Sequence, residues 1–309
     1  MKKRNLLSLE DWDAQEIRHL LRLATTLKAK KGPRMNLLAG KSVGLVFQKP
    51  SNRTRVSFEV GIWQLGGNCI YLGPDEIKLG KRESAADVAQ TLSRYLDALV
   101  ARTYTHDDIA ALGKNASVPI INGLSDLYHP CQALADIFSI KEKFGTFKDI
   151  TIAYVSDGNN VCHSLMIAAA KMGMTMRVAT PIGYEPCDAV VKKARKYAAE
   201  NGGQVTLTHS PQNAVRDADV VYTDVWTSMG QEKEAQKRIR AFKKYQINST
   251  LTRLAGKKHI FMHCLPAHRG QEVTDEVIDG NHSIVFDQAE NRMHVQKAIL
   301  VFLMKGSHL

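Results

Sequence analysis

Between Ser42 and Phe47 the chain reads SVGLVF, and short apolar runs of the same kind recur along its whole length. Runs of four to eight such residues, bounded by polar turns, predict strands buried on both faces. In the first half they are SVGLVF (42–47), NCIYL (68–72), DALVART (97–103) and VPIING (118–123). The segments between them carry helical spacing. From about Thr54 to Leu65, residues Val56, Val60 and Trp63 share one face at i, i+4 and i+7. SAADVAQTLSRYL (84–96) and HDDIAALGKN (106–115) read as further helices, as does PCQALADIFSIKEKF (130–144). A second series then opens with ITIAYV (150–155) and continues through TMRVAT (175–180), QVTLT (204–208), DVVYTDV (219–225), HIFMHCL (259–265) and SIVFD (283–287). Strands alternating with amphipathic helices imply parallel β-α-β units. The expected fold class is α/β, with two doubly wound parallel-sheet domains. KFGTFKD (143–149) reads as the linker. The expected domains are 1–144 and 145–289, with a last helix over 290–309 packing back on the first domain.

Composition adds limits. A chain of 309 residues exceeds the usual single core, so two domains are the prior; at 44% hydrophobic it has ample apolar material for both. No apolar run reaches the ~20 residues of a membrane span. The amino terminus, MKKRNLLSLEDW, lacks the sustained apolar region of a secretory signal. The five cysteines are odd in number, widely spaced and without a Cys-x-x-Cys pair, which fits a reducing compartment. A cytoplasmic location is expected, with no membrane partner. Net charge is +11, from 42 basic and 31 acidic residues, which suits either nucleic acid or an anionic small substrate. The densest basic run, KAKKGPR (28–34), has no interleaved aromatics and reads as a solvated face, so no nucleic-acid partner is expected.

Ligands of doubly wound sheets bind beyond the carboxyl ends of the strands, so the residues after each strand are the chemical candidates. After the first strand comes PSNRTR (50–55). Ser51 is placed to cap the next helix, whose free N–H groups, with Arg53, Thr54 and Arg55, make an anion cradle suited to phosphate. An ordinary cap with two solvated arginines is the alternative. Arg102 ends the third strand, and His129 and Gln132 follow the fourth. Arginine and histidine can polarise a carbonyl oxygen, and an amide oxygen can accept from an amide NH2. A lone histidine such as His129 is more often a satisfied structural residue. The turn SDGNN (156–160) holds one glycine rather than Gly-x-Gly-x-x-Gly, so a nicotinamide dehydrogenase is disfavoured and no cofactor is expected. Asn159 and Asn160 offer amides there instead. Asp224 can hold an amine or simply close a turn. Cys264 follows the HIFM run; a lone cysteine is in general an inert buried thiol. His263 and His268 are not spaced with other ligands in a metal pattern, so no metal is expected.

Taken together these stretches resemble the ornithine carbamoyltransferase family, within the wider group that includes aspartate carbamoyltransferase. SNRTR is similar to the carbamoyl-phosphate motif Ser-Thr-Arg-Thr-Arg, HPCQ to His-Pro-x-Gln, DVWTSMG to Asp-x-x-x-Ser-Met-Gly, and HCLP matches in full. The four occur in the family's order, and the resemblance covers nearly the whole chain, from the first strand to the last helix. Asn52 stands where the pattern has Thr, and Ser156 where many relatives have Gly. The resemblance implies carbamoyl transfer from carbamoyl phosphate to the δ-amine of L-ornithine, giving L-citrulline and phosphate. It implies that Ser51, Asn52 (through its backbone), Arg53 and Thr54 bind phosphate. Arg102 would bridge phosphate and carbonyl oxygen, with His129 on that oxygen. Gln132, the carbonyl of Leu265 and Arg292 would surround the carbamoyl amide. Asn160, Asp224, Ser228 and Met229 would hold ornithine's amino-acid end, with Cys264 beside the δ-amine. It further implies a homotrimer or a multiple of trimers, in which a loop here reading DEIKLGKRES lends Lys78 to a neighbouring subunit. Asp224 argues against aspartate as acceptor, and the intact Ser-Met-Gly against putrescine or an acylated ornithine.

Overall fold

The computed structural model describes residues 3–30, 35–80, 82–227 and 232–306. The basic run therefore lies partly outside the described residues, from 31 onward, as do Ser228 and Met229 entirely. The chain divides into two compact units, Met1–Ala135 with Glu290–Leu309, and Asp136–Ala289. In chain order the elements up to the first crossing are α1 (Ala14–Ala29), β1 (Ser42–Phe47), α2 (Asn52–Gln64), β2 (Asn68–Leu72), α3 (Pro74–Ile77), α4 (Ala85–Leu92), β3 (Ala98–Arg102), α5 (His106–Asn115), β4 (Ile120–Leu124) and α6 (Pro130–Phe144). The second unit continues with β5 (Thr151–Val155), α7 (Asn160–Lys171), β6 (Thr175–Ala179), α8 (Asp188–Asn201), β7 (Gln204–Thr208), α9 (Pro211–Val215), β8 (Val220–Thr223), α10 (Ala235–Phe242), α11 (Ser249–Thr252), β9 (Ile260–His263) and α12 (Asp275–Ile278). Last comes α13 (Val285–Lys305). The chain thus crosses between units inside α6, upstream of residues 143–149, and again inside α13.

Both sheets are parallel throughout, which requires a crossover after every strand. The first has the order β2-β1-β3-β4 and the second β7-β6-β5-β8-β9. In the first, the chain turns outward one way from β1 to β2 and the other way through β3. In the second, β5 leads to β6 on one side and β8 on the other. The points of reversal are therefore β1/β3 and β5/β8, and each opens a crevice at the strands' carboxyl ends.

SIVFD is not a strand. Ser283 makes one isolated bridge to Phe261, flanked by the bonds Phe261 N to His282 O and Ile284 N to Phe261 O, and α13 starts at Val285. Within the run Ile284 and Val285 are buried and Phe286 is exposed, and the sheet contact ends after one bridge because the helix begins. Residues from 290 onward pack within the first unit. Lys28 Nζ donates to Asn291 Oδ1 at 2.8 Å, Lys297 Nζ to Gln64 Oε1 at 2.9 Å, and the rings of Trp12 and Phe302 lie 5.0 Å apart. Gly61 lets α2 approach α13, since a Cβ there would sit 3.2 Å from Lys297. The face carrying Val56, Val60 and Trp63 is exposed, and α2 buries Thr54, Phe58, Gly61 and Ile62 instead.

Candidate active site

Two groups of the candidate side chains are assembled, one in each unit. In the first unit, Ser51 has extended backbone geometry and caps α2, its Oγ accepting from the Thr54 N–H at 3.3 Å. The first turn of α2 contains no acidic residue, so its positive dipole end is left for an anion. Asn52 and Arg53 are exposed there. Arg55 does not join the cradle. It pairs with Glu59 at 2.9 Å and lies over the Tyr71 ring at 3.7 Å, because the helical period turns it away from Thr54. Thr54 is buried, and its Oγ1 accepts from Arg292 Nη2 at 3.2 Å. The second arm of that guanidinium, Nη1, donates to Gln132 Oε1 at 2.5 Å. One arginine from the last helix thus joins residues 54 and 132.

Arg102, also buried, ends β3. The register between β3 and β4 slips there: Ala101 faces Asn122 but Arg102 faces Leu124, leaving Gly123 over. Such a bulge re-aims the side chain beside it. His129 is buried next to α6, and its pKa is pushed well below the usual histidine value by burial and by the positive charges of Arg292 and Arg102. It is therefore a neutral imidazole at neutral pH, able to donate or accept one hydrogen bond without adding charge. Below about pH 6.5 the unfolded chain takes up a proton that the fold refuses. Stability should thus be complete above that pH and fall as the pH drops. In urea titrations of ligand-free protein between pH 6.5 and 5, His129→Asn should remove up to about 1.4 kcal/mol of that loss per pH unit. An unaltered slope would mean that residue 129 is protonated in the native state.

Gln48, which immediately precedes this region, escaped the sequence reading. Its Nε2 donates to Leu79 O at 3.1 Å and to Asp108 Oδ2 at 3.2 Å, and its Oε1 accepts from Tyr104 N–H at 2.6 Å. It ties three loops together, including that of Lys78, which is exposed at the end of α3 with φ 41°. Cys131, inside HPCQ, is inert: burial pushes its thiol up to about 12.

In the second unit, residues from the ends of β5, β8 and β9 meet. Asn159, rather than Asn160, caps α7, with its Oδ1 accepting from the N–H groups of Val161 and Cys162 at 3.0 and 3.2 Å. Its Nδ2 donates to Asp224 Oδ2 at 2.7 Å. Asp224 is buried just beyond β8, and its Oδ1 accepts from Val225 N–H at 2.8 Å and from the Cys264 thiol at 3.0 Å. Ser156 Oγ donates to the Asp224 carbonyl at 2.7 Å. Among the described residues, the hydrogen-bond donors to this carboxylate are all neutral. A buried anion so arranged suits an incoming ammonium group. Asn160 is half-buried at the first position of α7. Gly158 serves packing, since a Cβ would lie 2.2 Å from Pro186 N.

Arg238 was also missed. It is buried on α10, where its Nη1 donates to Asp157 Oδ2 at 2.8 Å and to Trp226 O at 2.9 Å, clamping the turn after β5 to the segment after β8. Asp224, His263 and Cys264 bring one possible ligand atom each to within 4.8 Å of one another, a grouping that sequence spacing concealed. A cation there would have to displace existing bonds. The Cys264 thiol donates to Asp224, His263 Nδ1 accepts from Leu265 N–H at 2.9 Å, and His263 Nε2 meets Glu272 at 3.2 Å.

Comparison with known proteins points the same way as the motifs. The carbamoyl-P binding domain of aspartate/ornithine carbamoyltransferases matches residues 4–142, and the Asp/Orn binding domain matches residues 148–303. The chain is 54% identical over 308 residues to the ornithine carbamoyltransferase of Pyrococcus horikoshii, covering 99% of this chain and 97% of that one. Against the anabolic ornithine carbamoyltransferase of Pyrococcus furiosus the identity is 54% over 305 residues, covering 98% and 97%. The solved structure of ornithine carbamoyltransferase from Pyrococcus furiosus superposes with a TM-score of 0.96, covering 98% of both chains.

Proposed function

Because the chain belongs to the aspartate/ornithine carbamoyltransferase family, we propose that it transfers the carbamoyl group of carbamoyl phosphate to the δ-amine of L-ornithine, giving L-citrulline and phosphate. The observation that carries this reading is the 54% identity, over 99% of the chain, to an ornithine carbamoyltransferase. The neutral surroundings of the buried Asp224 favour ornithine over aspartate, which would need basic residues there. The anabolic name of the Pyrococcus furiosus relative supports a place in arginine biosynthesis. Purified protein should form citrulline from carbamoyl phosphate and ornithine, and should carbamoylate neither aspartate nor putrescine at a comparable rate. Absence of citrulline would overturn the reading.

In this reading, Ser51, Thr54, the Asn52 backbone and Arg53 bind the phosphate at the start of α2. Arg102 bridges phosphate and carbonyl oxygen, and neutral His129 donates to that oxygen. Gln132, the Leu265 carbonyl and Arg292 attend the carbamoyl NH2. Asp224 holds the α-ammonium of ornithine, with Asn160, Ser228 and Met229 around its amino-acid end. Cys264 lies beside the δ-amine. That amine must shed a proton before it attacks, since its ordinary pKa resembles lysine's, about 10.4. Desolvation and the cationic neighbours of the carbamoyl group favour the neutral form. The C–N bond forms, the carbonyl oxygen takes up negative charge, and the C–O bond to phosphate breaks. The departing phosphate accepts the amine's proton, so the reaction needs neither metal nor dedicated base.

The exposed face of α2 supports a homotrimer. Val56, Val60 and Trp63, with Ile70 on the edge strand β2, are between 38% and 54% exposed. Contiguous apolar surface of this kind marks an interface, and a heterologous contact closing as a ring suits three subunits. Lys78 would then serve a neighbour's site. Trp63→Glu should dissociate the assembly, read as a fall in mass by sedimentation velocity. An unchanged mass would remove this face from the interface. No described helix is long and apolar enough to cross a membrane, and we place the enzyme in the cytoplasm.

A further inference from the structure

Glu272 is a fully buried carboxylate, 0% exposed, in the segment after β9. Its Oε1 accepts from the backbone N–H of His268 at 2.5 Å and faces His263 Nε2 at 3.2 Å. Among the described residues Oε2 has no hydrogen-bond partner, and the His268 ring lies 4.0 Å from it. The described ion-pair partners of this carboxylate are histidines only, with no lysine or arginine. Burying an anion so poorly matched is costly, so its position calls for a reason beyond stability.

His263 supplies one. It too is fully buried, and its Nδ1 accepts from the Leu265 N–H at 2.9 Å. A ring nitrogen that accepts carries no proton, so the proton of the neutral imidazole sits on Nε2 and is donated to Glu272. The backbone N–H of His263 is held in turn by Gln288 Oε1 at 3.0 Å. Leu265 has φ 56°, a left-handed conformation that is costly for a branched side chain and persists only where its surroundings hold it. The His263 ring is one such hold.

We propose that Glu272 and His263 are positioning residues for carbamoyl transfer: the carboxylate fixes the tautomer of the imidazole, and the imidazole holds the Leu265 N–H and with it the backbone turn that aims the Leu265 carbonyl. The inference rests on the carbamoyl-transfer reading above, in which the Leu265 carbonyl attends the carbamoyl amide and Cys264 lies beside the attacking amine. Neither Glu272 nor His263 touches substrate. Remove the carboxylate, and Nε2–H becomes a buried donor without an acceptor. The bias that keeps the proton on Nε2 is then reduced, and the Nδ1–H tautomer, which opposes the Leu265 N–H donor to donor, gains population. The Leu265 N–H is released, the left-handed φ of Leu265 loses that hold, and the Leu265 carbonyl in the following peptide unit turns away. A carboxylate keeping an imidazole in one tautomer is the logic of the hydrolase triad, used here to orient a backbone group rather than to activate a hydroxyl.

The test uses full-length protein labelled with nitrogen-15 at histidine, with Glu272→Ala and Glu272→Gln. In the wild type, His263 should be neutral with its proton on Nε2. In Glu272→Ala that signal should shift toward the Nδ1–H tautomer. By analogy with residues that orient metal ligands, kcat should fall about tenfold or more. Inhibition by inorganic phosphate, which reads the cradle of the first unit, should be unchanged. Glu272→Gln keeps an acceptor oxygen and should restore part of both the tautomer and kcat. If the alanine variant does not fold, the glutamine variant decides, with an intermediate tautomer population and kcat expected. Full kcat with the wild-type tautomer in any folded variant overturns the proposal, as does a wild-type His263 protonated on Nδ1. A wild type inactive with ornithine but retaining the Nε2–H signal would sink the carbamoyl-transfer reading instead, leaving the orienting pair intact.

Discussion

Arg102→Ala should lower kcat by about a thousandfold, since a single transition-state donor is typically worth 10²–10³ and this one also carries charge. The effect should fall on turnover. Ornithine KM should change little, because the residues assigned to ornithine belong to the other unit. Arg102 is set up for such a role by the bulge that leaves Gly123 unpaired and by burial at the end of β3. There its guanidinium works in a poorly solvated setting, where charge acts more strongly than in water. Arg102→Lys should recover only part of the rate, since a point charge lacks the planar fork. One consequence reaches beyond kinetics. Arg102 is among the charges that hold His129 below its usual pKa, so its removal should raise the His129 pKa in a proton NMR titration. Steady-state kinetics would settle the main claim: unchanged turnover removes Arg102 from the mechanism.

The central strands were legible because parallel strands buried on both faces are written as apolar runs, as in β1, and the half-exposed edge strands β2 and β7 because β-branched and aromatic residues sit between turns. SVGLVF, NCIYL and QVTLT coincide with β1, β2 and β7 to the residue. SIVFD was misread because a run of three apolar residues does not tell strand from helix start, and here Val285 begins α13. The period of α2 grouped Val56, Val60 and Trp63 correctly on one face. Periodicity does not say which face turns inward, and that face is exposed. The motif residues after the strands were findable because each sits in a local pattern. Arg238 and Glu272 were not, and Asn159 reads from the sequence as an amide offered to a ligand, not as the partner of Asp224. Asn159 meets Asp224 across 65 positions and Arg238 meets Asp157 across 81, and no local spacing encodes such pairs. Arg55 failed for the opposite reason. It belongs to the motif by sequence, but the 100° step of the helix hands it to Glu59.

Asp224→Asn should separate binding from stability. The carboxylate accepts on both oxygens, from Asn159 on one and from Val225 N–H and Cys264 on the other. An amide cannot reproduce this, because its NH2 must face one of those donors. It also brings no charge to meet the α-ammonium of ornithine. Breaking a buried charge pair by removing one partner costs about 3–5 kcal/mol, so ornithine KM should rise by two to nearly four orders of magnitude, roughly 150- to 4,000-fold. Inhibition by inorganic phosphate, which reports on the first unit, should not move. The ligand-free protein loses a buried anion but gains a donor that faces a donor, so its melting temperature should move far less than the ornithine KM. A chemical complement sharpens the test. 5-Aminopentanoate is ornithine without its α-amine, and the wild type should bind it far more weakly than ornithine. In Asp224→Asn the two acceptors should converge, because the group that distinguished them is gone. If ornithine keeps its full advantage over 5-aminopentanoate in the variant, the α-ammonium is held elsewhere, and Asp224 serves only to fasten Asn159 and Cys264.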